Sequence, residues 1–219
     1  MHTDEPDRDR DQRELDHAEA WLLEADLFVP SVEALPKQAL EQCHQGRLVT
    51  DRASRLAHFQ AGQRLGEQAV AEDEGSADAH FALFCNLGEL MRIDGEMSLS
   101  SVLGFRRMMK ELDRALELKP DHLDALSARG TLLVRLPSLL GGDPEKGEQV
   151  LRQVIQREPE AVNARISLAK SYCKRGRHQD AVVLATEALT LAKAQQLDDF
   201  IPEASKVVAQ LHTVGNKGN

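Results

Sequence analysis

A chain of 219 residues, 42% of them hydrophobic, can bury a sizeable core as one domain or as one solenoid with appendages. Aromatic residues make up only 4%, and Ala, Leu, Glu, Gln and Arg dominate, which favours helix over sheet. The net charge of −9 lies mostly in residues 1–26, whose ten acids and three arginines balance to −7; the near-neutral remainder has no basic stripe, which argues against a nucleic-acid partner.

Residues 1–12 are charged without apolar periodicity and are expected to form a disordered acidic tail. The start MHTDEPDRDRDQRELD is neither basic nor apolar, so no secretory signal is visible, and no run reaches the roughly 18 apolar residues of a membrane span. Cys43, Cys85 and Cys173 are odd in number and far apart, which is no disulfide framework. These features together predict a protein of the reducing cytoplasm.

A helical stripe from Leu15 through Ala18, Trp21, Leu22 and Ala25 runs to about Phe28, before Pro30 and Pro36 interrupt it. A second short helix, about Pro36–Gln45, stops at Gly46. Residues 13–49 are therefore read as N-terminal helices, and residues 50–214 as a helical repeat domain. Thr50-Asp51 opens a longer helix to about Glu72, with Gly62 and Gly66 one turn apart where a neighbouring helix can approach. This helix is readable as the second half of a degenerate repeat.

The next unit pairs a helix from Ser76-Ala77-Asp78 with one at about Ser101–Leu118, closing at Pro120. It carries about twelve residues more than a plain repeat, around RIDGEMSLSSVL, lengthening the helices or their hairpin. The unit after it has Gly130 at a close-packing position, an enlarged hairpin LPSLLGG, and Asp143-Pro144 as cap and first turn of its second helix. Pro159 ends it at the offset of Pro120.

The clearest unit is EPEAVNARISLAKSYCKRGRHQDAVVLATEALTLAK, two amphipathic helices joined at Lys174–Arg177. It resembles one tetratricopeptide repeat (TPR): with Val162 as position 1, Leu168, Ala169, Tyr172, Ala181 and Ala188 fall on consensus positions 7, 8, 11, 20 and 27. A last helix, about Pro202–Val214, would cap the stack. The resemblance implies an all-α, right-handed TPR-like solenoid of about three repeats, with N-terminal helices and a C-terminal cap.

Within TPR proteins, Ala79–Gly95 and Leu136–Gly147 are similar to a branch that includes the T-component of TRAP-type transporters and the regulator of microtubule dynamics proteins. For the transporter branch this would imply an oligomeric periplasmic protein, lipid-anchored, that helps deliver a small solute. The chain departs from it in showing no signal and no lipidation cysteine near its start.

No enzyme chemistry is legible. The segment GGDPEKG at Gly141–Gly147 lacks the GxxxxGK[ST] spacing of a phosphate loop and puts an aspartate where phosphate would sit. Glu14–His17 and Glu41–His44 have the E-x-x-H spacing of di-metal bundles, but no further inward glutamates are identifiable. There is no CxxC and no HxxxH, and Cys85 and Cys173 have no base partner in the sequence. No catalytic residue, metal or cofactor is expected.

What remains is the inner surface, lined in TPR stacks by positions 2, 5, 9, 12 and 13 of each first helix. These give Asp78, Phe81, Cys85, Gly88 and Glu89; then Asp124, Ser127, Thr131, Val134 and Arg135; then Asn163, Ile166, Lys170, Cys173 and Lys174. The rows shift from acidic and aromatic to basic, suiting an extended peptide with an acidic end. The expected partner-binding residues are Phe81, Asp124, Thr131, Arg135, Asn163, Lys170 and Lys174. The expected function is a scaffold for a protein or peptide partner; the alternative is a solute-binding transport accessory, with self-association left open.

Overall fold

The computed structural model of the chain describes residues 34–94 and 99–215. The expected acidic tail, the helix at 14–28 and the Glu14–His17 pair lie outside the described residues. Nine α-helices follow in order among the described residues, with no strand. They are α1 (Ala34–Leu48), α2 (Arg52–Glu72), α3 (Ala77–Asp94), α4 (Leu99–Leu118), α5 (Leu123–Arg135), α6 (Pro144–Arg157), α7 (Val162–Lys174), α8 (His178–Ala194) and α9 (Ile201–Gly215). Consecutive helices pack as four antiparallel hairpins, α1–α2 through α7–α8, and α9 lies against α8 and α7. Three hairpins correspond to the three repeats of the sequence, the first precedes them, and α9 caps the end. This is an all-α, TPR-like helical solenoid.

Local chemistry sets the boundaries. The Asp51 carboxylate accepts the Ser54 amide at 2.7 Å and opens α2. Asp143 accepts the Lys146 amide at 3.0 Å, with Pro144 in the first turn of α6. The hairpin before it folds into a single 3₁₀ turn, Ser138–Leu140, ending at Gly141 with φ 88°. Gly142 then passes so close to the chain that a Cβ would stand 1.8 Å from the Leu136 carbonyl oxygen. The additional residues of the α3–α4 unit lengthen its helices to 18 and 20 residues, against 13 and 17 in α7 and α8.

Small residues let the helices approach. A Cβ on Gly66 would meet the Leu83 Cα at 2.9 Å, and one on Gly62 would overlap the Asn86 side chain. Asn86 uses that space to donate from Nδ2 to the Ala39 carbonyl at 2.8 Å, pinning α3 to α1. Gly130 and Gly147 face each other across α5 and α6. In the last hairpin Leu168, Ala169, Tyr172, Ala181 and Ala188 are all buried in one core with Ala204, Val207 and Leu211 of α9.

A second core joins Leu83, Phe84 and Leu87 of α3 to Met108, Leu112 and Ala115 of α4 and Ala125 of α5. The two cores meet at α5, which gives Ala125 to one and Val134 to the other. The α4–α5 junction is the thinnest between successive helices, so the first helices of these two repeats diverge and leave space between them.

Candidate functional site

The space opened beside α5 is a cavity of about 500 Å³ lined mainly by α3, α5 and α7, with Arg47 of α1, Met108 of α4 and Glu203 of α9 at its edges. Phe84, Met91, Met108 and Leu132 give it an apolar floor, and Thr131, Arg135 and Lys170 project into it. A second cavity of about 260 Å³ adjoins it, bounded by Phe81, Asp124 and Asn163. Arg47, Phe84, Cys85, Asn163 and Phe200 border both, so the two are basins of one groove.

Six of the seven residues expected from the sequence thus line this groove, and Lys174 does not: it is exposed at the end of α7 and borders neither basin. Several are tied to neighbours. Thr131 donates from Oγ1 to the Ser167 hydroxyl at 2.8 Å, and Asn163 from Nδ2 to the Ser127 hydroxyl at 3.3 Å. Phe81 stacks on Phe84 with centroids 5.9 Å apart and meets the His122 ring at 5.0 Å. Ile166, at an inner position of its repeat, is buried in the core instead.

The basic end of the groove already holds an acid. Lys170 is paired with Glu203 of α9, and Arg92 and Arg135 add their charge. Burial works to raise the Glu203 carboxyl, but the Lys170 hydrogen bond and the three cations hold it below the ordinary range.

The residues not foreseen come from outside the repeats. Arg47, near the end of α1, donates from Nε to Glu89 at 2.8 Å and from Nη2 to the Cys85 sulfur at 3.3 Å. Its Nη1 reaches Asp199 at 3.5 Å, and its guanidinium lies 6.0 Å from the Phe200 centroid. His44 Nδ1 meets the same Asp199 carboxylate at 2.9 Å. Asp199 and Phe200 stand in the turn before α9, so α1 and the turn between α8 and α9 touch across the groove. Glu89 is buried and bound by a second guanidinium, that of Arg92, at 3.2 Å. The sequence carried one mark of this end, the spacing Glu41–His44. Of that pair His44 joins the contact with Asp199, whereas Glu41 accepts from Gln45 Nε2 at 2.7 Å; no three His, Cys, Asp or Glu side chains converge among the described residues. No described helix is long and apolar enough to cross a membrane.

No protein-family model matches the chain, and no curated protein matches it. Solved structures do. TTC0263, a thermophilic TPR protein of Thermus thermophilus, is similar with a TM-score of 0.51 at 19% identity, over 80% of this chain and 98% of that one. The MamA RS-1 ArsTM double mutant matches with a TM-score of 0.43 at 14% identity, over 80% of this chain and 97% of its own. YrrB, a TPR protein with an unusual peptide-binding site, matches with a TM-score of 0.35 at 14% identity, over 66% and 84%. The likeness to TTC0263 is one of fold, and it agrees with the hairpin stack described above.

Proposed function

We propose that this protein is a non-enzymatic interaction scaffold that holds an extended segment of a protein or peptide partner in its concave groove. The observation that carries this reading is the position of Glu203, a carboxylate seated among Lys170, Arg92 and Arg135 at one end of an apolar-floored groove. A partner ending in acidic side chains or in its own carboxylate meets the same cations by charge-assisted hydrogen bonds. Its apolar side chains cover Phe84, Met91 and Leu132, and Phe81, Asp124 and Asn163 receive the other end. Arg47 forms one wall, so the binding unit in this reading extends beyond residues 50–214 into α1.

The test is selection of binders from a displayed library of random decapeptides, followed by affinity measurement on folded variants. Selected peptides are expected to carry an acidic end next to apolar residues, and Arg135→Glu with Lys170→Glu should weaken them by tenfold or more at low salt. Peptides whose affinity does not change in that variant would place the binding surface elsewhere. Sedimentation of the same sample addresses the second reading, a solute-binding accessory protein, which rests on the resemblance of Ala79–Gly95 and Leu136–Gly147 to the transporter T-component. A closed oligomer that binds no peptide would favour it.

A further inference from the structure

The wall of the groove contains two sulfurs side by side. Cys43 is on α1 and fully buried, and Cys85 is on α3 and borders both basins; Asn86 Nδ2 on the Ala39 carbonyl at 2.8 Å and Arg47 Nη2 on the Cys85 sulfur at 3.3 Å hold α1 against α3 one turn to either side of Cys43, which sets the two thiols next to each other. The donor on the Cys85 sulfur is the Arg47 guanidinium, whose positive charge faces it directly. This arrangement favours negative charge on Cys85: the neighbouring Cys43 thiol first, and then the Arg47 guanidinium, hold its thiol below the ordinary value against burial. Cys43 is pushed the other way, upward, by the neighbouring Cys85 and by burial in the core, and keeps its proton. A charged, reachable sulfur backed by a protonated buried one is the division of labour of an attacking and a resolving thiol.

We propose that Cys85 and Cys43 form a peroxide-sensitive dithiol that closes reversibly to a disulfide in the wall of the groove. The Cys85 thiolate attacks one oxygen of hydrogen peroxide; an S–O bond forms, the O–O bond breaks, and the departing hydroxide takes a proton to become water. Cys85 is then a sulfenic acid. The Cys43 sulfur attacks it, the S–S bond forms, the S–O bond breaks, and the leaving hydroxide takes the Cys43 proton as a second water. Two thiols are oxidised by two electrons and one peroxide is reduced to two waters. The product joins α1 to α3 and removes the anionic acceptor of Arg47, which is left with Glu89 and Asp199. The third cysteine, Cys173 on α7, has no thiol neighbour and serves as the internal reference.

The experiment exposes the folded full-length chain at pH 7.5 to graded hydrogen peroxide, traps remaining thiols with a maleimide, and identifies the products by peptide mass spectrometry. A Cys43–Cys85 cross-link with the loss of two hydrogens, reversed by dithiothreitol and formed before Cys173 is modified, is the expected result. In Cys43→Ser the cross-link is absent and Cys85 is captured as a sulfenic acid by dimedone. In Arg47→Gln the reaction slows several-fold. The proposal is overturned if Cys43 and Cys85 remain thiols at doses that oxidise Cys173. It is equally overturned if the cross-link forms as fast in urea-unfolded chain as in the folded protein.

Discussion

His44 shows how one side chain can make the groove sensitive to pH. The hydrogen bond to Asp199, and then that carboxylate's charge, raise the imidazole above its ordinary value, against burial and the nearby Arg47; the Cys85 thiolate adds a smaller push upward. Burial alone would raise Asp199, but the His44 hydrogen bond and the charges of His44 and Arg47 hold it below its ordinary value. The folded chain therefore favours the imidazolium more than the unfolded chain does. Its stabilisation is complete below the unfolded value of about 6.5 and is lost as pH rises through the raised folded value. His44→Gln should lower the thermal midpoint more at pH 6 than at pH 8.5. The difference should stay within about 4 °C, because the imidazole is half-exposed and screened by water; equal decrements at both pH values would remove His44 from this role. Glu203 makes the second residue-level case. Glu203→Gln frees Lys170, Arg92 and Arg135 for an incoming carboxylate, and affinity for an acidic-ended peptide should rise up to about fivefold at low salt. A loss of affinity in fluorescence titration would mean that Glu203 contacts the partner itself.

Among the helices, the closest approaches are made by small residues, and these were the most readable part of the sequence. Ala169 and Ala181 are fully buried in the α7–α8 hairpin, and the same core takes the leucine and tyrosine of the repeat pattern. Ala169→Leu or Ala181→Leu must push the pair apart and should cost about 1–3 kcal/mol in urea unfolding; an unchanged midpoint would mean that these alanines do not face a neighbouring helix. The Asp143-Pro144 start of α6 and the Gly62/Gly66 face of α2 were legible for a similar reason, since each is decided by residues near in sequence or by the absence of a side chain. Lys174 marks where the same local logic stops. Repeat position alone puts it on the inner face, but it lies in the last turn of α7, exposed and away from both basins. The roles of Arg47, Asp199 and Glu203 were not legible at all, because each pairs with residues from 33 to 155 positions away whose approach depends on how the stack curves.

For the molecule as a whole, the thin α4–α5 junction and the contact between α1 and the turn before α9 belong together. The stack is least supported at the α4–α5 junction, and its ends are linked by His44, Arg47, Asp199 and Phe200 instead. Removing that link with His44→Gln and Arg47→Gln should leave the buried cores folded and let the halves separate. Small-angle X-ray scattering should then show a larger radius of gyration, with helicity by circular dichroism unchanged. An unaltered scattering curve would mean that the α4–α5 junction is rigid without help.

The link between the ends also bears on time. On the proposed function, a segment that runs the length of the groove passes Arg47 and Phe200, which border both basins, and its entry is expected to wait for them to part. The observed rate of capture should then level off with rising peptide concentration at the rate of parting. Release waits on the same event, so an occupant of moderate affinity stays longer than its affinity implies. Stopped-flow mixing should show such a plateau in the native chain and a linear dependence in the double variant.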